Sequence, residues 1–303
     1  MCSYDLLHEL EPAVERNLNR HLEVAKDWMP HEYVPWSRGR DFDTEPWQPS
    51  DSDLDSAGRA ALEVNLLTED NLPSYHHEIA SRFGRDGAWG TWIHRWTAEE
   101  GRHAVCIRDY LHVTRAVNPD RLERDRMATM SAGYRSGRDG ALPSVVYVAL
   151  QELATRVSHR NTGHHMRDPV ASRLLARVST DENLHMVFYR SLVSAAMEVD
   201  PSATVLAICA EVTNFQMPGA TIPDFGRRAV LIARSGVYNL RNHHDDVIWP
   251  LLRHWKVFER SGLDGPASAA RQELGDFLAG LGEAAERQHD RFAGLAERAA
   301  AHQ

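Results

Sequence analysis

Residues 99–103 of the chain read E-E-G-R-H, and residues 181–185 read D-E-N-L-H. In both stretches a histidine follows a glutamate by three positions, which places the two side chains on the same face of an α-helix. A further glutamate precedes each of these pairs by about 30 residues, Glu69 before the first and Glu152 before the second. The chain therefore repeats one pattern, a helix with a glutamate outside any such pair followed by a helix with a glutamate–histidine pair.

This doubled pattern predicts two antiparallel helical hairpins that face each other in a four-helix bundle. Four carboxylates and two imidazoles then converge inside the bundle, which is the arrangement of a two-metal carboxylate site. An oxygen-rich donor set with one imidazole per ion suits iron or manganese better than zinc. For each residue taken singly, the alternative is a buried structural pair. The predicted ligands are Glu69, Glu100, His103, Glu152, Glu182 and His185.

A third glutamate–histidine pair, Glu286 and His289, lies near the end of the chain. It has no matching glutamate on a preceding long helix, and its surroundings are rich in charge and alanine. We therefore predict that this pair is exposed to solvent and binds no metal.

Helical periodicity dominates the rest of the chain, and the alternation typical of strands is almost missing. We predict helices over about 57–83, 88–117, 120–132, 143–165, 169–199, 201–215, 224–240 and 266–302. The segment 28–55 is rich in Pro, Trp and Asp and is predicted to be irregular. Because no linker divides the chain, we predict one all-α domain over 1–303, with its bundle core at about 57–199 and a C-terminal helical extension at about 266–303.

The composition limits the classes of function. The formal net charge is −9, from 34 basic against 43 acidic residues, which argues against nucleic acid because phosphate binding needs a basic surface. No run approaches the ~18 apolar residues of a membrane helix, and no signal segment is recognisable at the start. Three widely separated cysteines favour neither a disulfide framework nor a thiolate zinc site. We expect a cytoplasmic protein without a transmembrane segment.

Four motifs surround the predicted ligands: L-T-E-D-N-L-P-S-Y at 67–75, W-T-A-E-E-G-R-H at 96–103, Q-E-L-A-T to S-H-R-N-T within 151–162, and D-E-N-L-H at 181–185. Together they resemble the corresponding motifs of the soluble acyl-carrier-protein desaturases. With G-V-Y at 236–238 and W-K-V at 255–257, the likeness runs from about residue 9 to residue 260. It implies a ferritin-like four-helix bundle with additional surrounding helices.

The resemblance also implies an activity, the oxygen-dependent desaturation of a fatty acyl chain carried on acyl carrier protein. The implied cofactors are two iron ions per chain with O₂ as co-substrate, and the implied partners are acyl carrier protein and a ferredoxin-type electron donor. A homodimer is the expected assembly. By the same resemblance, Glu69 and His103 bind one iron, Glu152 and His185 bind the other, and Glu100 and Glu182 bridge the two.

Further residues are candidates for catalysis and for a substrate channel. Thr155 lies one helical turn after a predicted ligand and matches the family motif, so we predict a catalytic role; the alternative is a hydroxyl that bonds to its own turn. Trp92 and Trp96 lie on the helical stripe that leads to the first metal-binding pair, and Phe215 and Met217 lie near a predicted chain break. These four could line an apolar channel, with ordinary core packing as the alternative.

Acyl carrier protein is acidic, so its binding to a chain of net negative charge requires a local basic surface. Three arginines on one predicted helix are the candidates for this surface: Arg227, Arg228 and Arg234.

Two other functions remain open at this point. The same two-metal bundle could serve a hydroxylase or N-oxygenase that acts on a carrier-bound or free metabolite, because the ligands alone do not determine the product. It could also serve iron storage. Storage subunits, however, consist of little more than one bundle, and this chain predicts several additional helices.

Overall fold

The computed structural model describes residues 3–300, and no strand occurs among them, which confirms the predicted all-α class. The helices are α1 (Ser3–Val24), α2 (Ser56–Glu69), α3 (Leu72–Phe83), α4 (Gly87–Val113), α5 (Pro119–Ala132), α6 (Ala141–His165), α7 (Pro169–Val199), α8 (Pro201–Thr213), α9 (Phe225–Arg234), α10 (Leu240–Asn242), α11 (Trp249–Trp255) and α12 (Gly265–Ala300). A π-helical segment, His243–Ile248, joins α10 to α11.

Helices α2, α4, α6 and α7 pack against one another as a four-helix bundle. The turn between α6 and α7 is set by Asp168, whose carboxylate accepts a hydrogen bond from the Val170 N–H at 2.8 Å, and by Pro169 at the first helical position. Helix α2 begins in the same way at Asp55, whose carboxylate accepts from the Gly58 N–H at 2.7 Å. These caps fix where each helix starts and therefore the register of the glutamates that it carries.

The predicted helix over 57–83 is in fact two helices, α2 and α3. The α-helical ladder is interrupted because Pro73 has no N–H to donate to the carbonyl of Glu69. The last turn of α2 tightens instead, and the Asn71 N–H bonds to the Thr68 carbonyl at 3.2 Å. As a result, Glu69 is the last residue of α2 and lies buried against the bundle.

Two further helix predictions need correction. The predicted helix over 224–240 ends at Arg234, and the chain then turns through Gly236, whose φ of +77° favours glycine. Helix α1 was not predicted, yet it packs across α4 and α7. Its apolar residues Leu10, Val14 and Leu18 are buried there at helical spacing.

The segment between α1 and α2 is irregular, as predicted, and contains three short 3₁₀ turns. It is held by the buried Arg115 at the end of α4. The Arg115 guanidinium donates to the Asp51 carboxylate at 2.9 Å and to the Glu45 carbonyl at 2.7 Å, and Trp47 donates to the Arg115 carbonyl at 3.0 Å. The segment is thereby fixed across the bundle, with Trp28 buried at its beginning.

Helix α12 matches the predicted C-terminal helix as far as residue 300, whereas residues 301–303 of the predicted extension lie outside the described residues. It packs on α8 through buried positions such as Leu274 and Leu278. Glu286 and His289 are exposed on it, as predicted, and Glu286 forms an ion pair with Arg241 at 2.7 Å. None of the helices in the described part of the chain is both long enough and apolar enough to cross a membrane.

Candidate metal centre

The six residues predicted as metal ligands converge inside the bundle. They form two overlapping groups, within each of which one donor atom per residue lies within 4.8 Å of the others. The first group is Glu69, Glu100, His103 and Glu182, and the second is Glu100, Glu152, Glu182 and His185. All six side chains are buried, none with more than 7% of its surface exposed. Glu100 and Glu182 belong to both groups, which is the position that two bridging carboxylates would occupy.

Both histidines present Nδ1 to the interior of the cluster. His103 Nδ1 lies 3.3 Å from Glu182 Oε1 and 3.6 Å from Glu69 Oε2. His185 Nδ1 lies 2.7 Å from Glu100 Oε1. Neither Nδ1 atom has a partner with hydrogen-bond geometry. A buried imidazole nitrogen that faces carboxylates and makes no hydrogen bond is suited to be a metal ligand.

The carboxylates of the cluster also contain oxygens that lack a hydrogen-bond partner. Glu100 Oε1, Glu152 Oε2 and Glu182 Oε1 are buried and have no hydrogen-bond partner. Leaving a buried polar atom unsatisfied costs about 1–3 kcal/mol, and more for a charged group. Two divalent cations would satisfy these oxygens and both inward nitrogens together, so the residues present fit a two-metal group. The donor set is rich in oxygen and contains no thiolate, which favours iron or manganese.

The terminal glutamates are each held by a neighbour through one oxygen. Trp96 donates its indole N–H to Glu152 Oε1 at 2.9 Å, and His159 Nε2 lies 2.9 Å from Glu69 Oε1. The second oxygen of each glutamate is thereby directed towards the histidines, with Glu152 Oε2 3.6 Å from His185 Nδ1. His159 belongs to a motif quoted above, but its contact with Glu69 could not be read from the sequence.

The electrostatics of the cluster are those of crowded carboxylates balanced by imidazoles. Burial, together with repulsion from a neighbouring glutamate, raises the pKa of Glu100 and raises that of Glu152 further. Although burial opposes it, the contacts of the Glu69 carboxylate with His103 and His159 hold the pKa of Glu69 below its usual value. Burial likewise opposes the charged form of His103 and His185, yet the surrounding carboxylates raise the pKa of both. Protons therefore balance this charge in the metal-free protein, and metal binding would release them.

A second layer of carboxylates supports the histidines from outside. His185 Nε2 lies 2.9 Å from Glu99 Oε2, and His103 Nε2 lies 3.5 Å from Asp181 Oδ2. Each supporting acid directly precedes a candidate bridging glutamate, and it contacts the histidine of the opposite helix. Such contacts fix the tautomer of a ligating histidine and leave its other nitrogen free for the metal. The doubled acids at 99–100 and 181–182 were the sequence signal for this layer.

Residues outside the bundle complete the second layer. Glu99 also bonds to His21 Nε2 at 2.9 Å, and the Trp28 indole donates to Asp181 Oδ2 at 2.7 Å. Although burial opposes it, the hydrogen bond from His103 lowers the pKa of Asp181 to about 2. Helix α1 therefore reaches the supporting acids through His21, and the irregular segment that follows it reaches them through Trp28.

We expect Asp181→Asn to weaken metal binding by about 10–100-fold. The amide keeps the shape of the side chain, but its oxygen would accept the hydrogen bond from His103 without a negative charge. Titration of the metal-free protein with Fe²⁺ or Mn²⁺ measures the affinity. Asp276→Asn, at an exposed position of α12, removes the same charge and should leave the affinity unchanged. Equal affinity in the wild type and Asp181→Asn would show that Asp181 does not support the centre.

Two cavities adjoin the cluster at Glu69. One, of about 50 Å³, is lined by Trp96 and Glu100 and continues along α3 and α6. The other, of about 120 Å³, is lined by Thr155 and Met217 together with residues of α9. The lining of both is mainly apolar. Trp96 and Met217 each line one of these cavities, and their place in a substrate channel stays a prediction.

The other two channel candidates lie elsewhere. Trp92 is fully buried, donates its N–H to the Tyr189 hydroxyl at 3.0 Å, and stacks on Phe188 at 3.6 Å. Trp92 lines neither of the two cavities, so its contacts are those of core packing, which was the alternative for this residue, and its place in a channel stays a prediction. Phe215 packs against Tyr147 and His243, and it lines neither of the two cavities.

Thr155 lies at the centre, as predicted. Its hydroxyl is 3.0 Å from Glu182 Oε2 and 3.1 Å from the Gln151 carbonyl. A hydroxyl has one proton, so it donates to only one of these acceptors at a time. The geometry therefore allows both the catalytic interpretation and the bond to its own turn.

The three arginines predicted for docking on α9 differ in exposure. Arg227 and Arg234 are exposed, but Arg228 is only 4% exposed. The Arg228 guanidinium forms ion pairs with Asp125 and with Glu63, the latter at 3.4 Å. The prediction that Arg228 contributes to a docking surface is wrong, because its charge is neutralised by these two acids, which link α9 to α2 and α5.

A four-helix bundle that encloses two overlapping clusters of carboxylates and histidines defines a class of protein, and sequence comparison identifies that class. Residues 3–302 match the model of the fatty acid desaturase family, and the chain belongs to this family.

Three individual proteins are similar to this chain over most of its length. DesA1 of Mycobacterium tuberculosis, named as an acyl-[acyl-carrier-protein] desaturase, is 46% identical over 316 residues, which cover 98% of this chain and 94% of that protein. The X-ray structure of DesA2 from the same organism, with 30% identity, superposes with a TM-score of 0.71 and covers 83% of this chain and 95% of DesA2. A chloroplastic stearoyl-[acyl-carrier-protein] 9-desaturase from Oryza sativa is 27% identical over 97% of this chain and 80% of its own length.

Proposed function

We propose that the chain is an acyl-[acyl-carrier-protein] desaturase that uses two irons, O₂ and electrons from a ferredoxin-type donor. The observation that carries the proposal is the pair of overlapping, buried ligand clusters beside mainly apolar cavities. The named relatives support the substrate class. We further propose that the protein acts as a cytoplasmic homodimer.

In this proposal the six clustered side chains hold the metals. Glu69 and His103 would hold one iron, Glu152 and His185 would hold the other, and Glu100 and Glu182 would be shared between them. When bound, the two irons supply the two-electron reduction of O₂ and the oxidising power that an unactivated C–H bond requires, which no side-chain acid or base provides.

The chain's own residues bind the substrate, position the ligands and exclude water. The apolar walls contributed by Trp96 and Met217 would hold a methylene chain against the centre and keep water from it. Trp96 also fixes Glu152 through its indole N–H, so one residue both lines the channel and orients a ligand.

Acyl carrier protein would dock where its acyl chain can enter a cavity. Helix α9 lines the larger cavity through Phe225, Ala229 and Ile232, and it exposes Arg227 and Arg234. We propose that these two arginines contact the acidic carrier, with Arg228 inside the protein as a structural residue.

Product analysis tests the proposed function. We expect purified protein loaded with iron and given reduced ferredoxin and stearoyl- or palmitoyl-acyl carrier protein to form an olefin that retains no oxygen. Mass spectrometry with ¹⁸O₂ distinguishes this product from an oxygenated one. An alcohol or N-oxide containing ¹⁸O would replace the proposal with a hydroxylase or N-oxygenase. Elution as a large cage in gel filtration, with no turnover, would indicate iron storage instead.

The proposed role of Thr155 predicts uncoupling of oxygen consumption from product formation. Thr155→Val keeps the shape but removes the proton donor beside Glu182, with a stability cost of about 0.5–1.5 kcal/mol for the lost hydrogen bond. We expect normal iron content, slower olefin formation and more O₂ consumed per double bond. Oxygen uptake measured against product gives the ratio.

Thr155→Ser is the matched control for this prediction, because it retains the hydroxyl and should retain the wild-type ratio. If Thr155→Val keeps both the rate and the ratio of the wild type, Thr155 is an ordinary helix threonine and the catalytic role is wrong.

A further inference from the structure

The smaller of the two cavities beside the candidate centre has a charged far end. Its lining is mainly apolar and runs from Trp96 along α3 and α6. The far end is lined by two charged side chains of α3 and by two polar side chains of the loop between α5 and α6. We call these four residues, Glu78, Arg82, Ser136 and Arg138, the polar wall.

Arg82 holds the polar wall together. Its guanidinium forms an ion pair with the Glu78 carboxylate at 3.0 Å and donates to the Ser136 hydroxyl at 2.6 Å. It also donates to the backbone carbonyl of Arg138, and the Ser136 hydroxyl lies 3.0 Å from Glu78 Oε2. One side chain of α3 therefore fixes the loop that carries the other half of the wall.

Arg138 anchors that loop from its other side. Its Nε donates to the Glu211 carboxylate of α8 at 2.7 Å, and its guanidinium lies over the Tyr147 ring, 3.4 Å from the centroid. Ser136 and Arg138 also line an outer cavity of about 490 Å³. The polar wall thus stands between the cavity beside the centre and a larger space outside it.

The two helices beside the inner cavity give its length. On α3 the lining runs from Leu72 to Arg82, ten positions further on, which is about 15 Å of helix. On α6 it runs from Gln151 back to Ser144, seven positions, which is about 10 Å. A fully extended chain advances about 3.3–3.6 Å for every three bonds, so this distance corresponds to about eight to twelve carbons.

We propose that the polar wall limits the length of the acyl chain, so that accepted substrates carry at most about twelve carbons beyond the double bond. This inference rests on the proposed function, in which the carrier docks at α9 and the methyl end passes the centre into the cavity along α3 and α6. A longer chain would have to separate Arg82 from Glu78 and Ser136. Leaving these largely buried polar groups without partners costs more than the burial of one further methylene gains.

The test compares the iron-loaded wild type with the double variant Glu78→Ala/Arg82→Ala, which removes both members of the ion pair and opens the end of the cavity. The probes are palmitoyl-, stearoyl-, arachidoyl-, behenoyl- and lignoceroyl-acyl carrier protein. Calorimetry gives the Kd for each, and olefin formation gives kcat/KM.

We expect the wild type to lose about tenfold or more in kcat/KM and in affinity at the first chain that reaches the wall, because a closed apolar pocket discriminates this strongly against an extra methylene. The double variant should accept that chain about as well as the shorter ones. Its iron content should stay at the wild-type value, as should the position of the double bond counted from the thioester, because the wall contains none of the proposed ligands.

Two further variants complete the test. Glu283→Ala/Arg287→Ala removes an ion pair of the same spacing, exposed on α12 with 3.3 Å between its charged atoms, and should leave the length preference unchanged. Arg82→Met keeps a long side chain but leaves Ser136 without its donor, so we expect a smaller shift towards longer chains. This variant also serves if the double variant does not fold.

Two outcomes would overturn the role of the polar wall. One is a folded double variant, or Arg82→Met in its place, with the length preference of the wild type. The other is a wild type that binds and converts every chain up to lignoceroyl equally. The proposed function is tested separately, because the Kd series needs no turnover. If no acyl carrier yields an olefin, yet affinity still depends on chain length and on Arg82, the desaturase activity is wrong and the wall is retained.

Discussion

Glu182→Ala should reduce the iron content from about two per chain to one or fewer and abolish olefin formation. Glu182 belongs to both ligand groups, and its Oε1 lies 3.3 Å from His103 Nδ1. Its Oε2 accepts the hydrogen bond from Thr155 at 3.0 Å. In the proposed centre this carboxylate is shared by both metals, so without it neither would keep its proposed ligand set. Glu100→Ala, at the other shared position, should have the same effect, and metal analysis with the olefin assay measures both.

Stability measurements separate a lost ligand from a damaged fold. In the metal-free protein, Glu182 accepts the hydrogen bond of Thr155 and faces His103, so metal-free Glu182→Ala should unfold at a somewhat lower denaturant concentration than the metal-free wild type. Metal stabilises a native site according to its affinity, by about 2.7 kcal/mol at a hundredfold excess over Kd. We expect this gain on iron addition in the wild type and not in Glu182→Ala.

Glu286→Ala is the matched control for these variants. It also removes a glutamate three positions before a histidine on a helix, but this pair is exposed and Glu286 is bound to Arg241. Iron content, turnover and the gain in stability should all equal those of the wild type. If Glu100→Ala and Glu182→Ala also load two irons and turn over normally, the assignment of the centre to these residues is wrong.

The sequence was sufficient to predict the six clustered residues because their positions depend on helical arithmetic alone. A spacing of three places a glutamate and a histidine on one face, and an offset of about 30 residues brings a preceding helix opposite. Both rules still hold where a helix is interrupted. The break between α2 and α3 did not move Glu69 from the cluster, because it falls after that residue.

The contacts of His21 and Trp28 with the supporting acids could not be predicted, because they depend on elements far away in sequence. His21 and Trp28 reach Glu99 and Asp181 only after α1 and the irregular segment have packed across the bundle. The spacing of Leu10, Val14 and Leu18 continues to His21 in α1, but it does not indicate which acid His21 will meet, and 28–55 has no periodicity that places Trp28. Tertiary packing decides such contacts.

The neighbours of Arg228 and of Trp92 could not be predicted, for a related reason. Arg228 follows the exposed Arg227 and looks like a surface cation, yet its guanidinium faces Asp125 and Glu63, whose charges it neutralises. A helical stripe shows which residues lie together, but not which neighbour they will meet. Trp92 shares the stripe of Trp96, yet it meets Phe188 and Tyr189 where Trp96 meets a cavity.

The buried position of Trp92 leads to the second large expected effect, a loss of stability without a change of product. Trp92→Ala should lower the free energy of unfolding by about 3–5 kcal/mol, because a fully buried ring stacked on Phe188 is replaced by a cavity. The Tyr189 hydroxyl also loses its indole donor. Urea titration should show a lower midpoint, with an unchanged slope because the fold is the same.

Trp92→Phe separates the two contributions. Phenylalanine keeps an aromatic ring against Phe188 but has no N–H for Tyr189, so the loss should be smaller, about 1–3 kcal/mol for an unpaired buried hydroxyl together with imperfect packing. In both variants, molecules that remain folded should place the double bond where the wild type does, because Trp92 lines neither cavity beside the centre. A shifted double bond or a changed preference for acyl length in folded Trp92→Phe would return Trp92 to the channel and contradict its place in the core. Trp96→Phe gives the contrast, because Trp96 lines a cavity and holds Glu152, so its loss should change turnover more than stability.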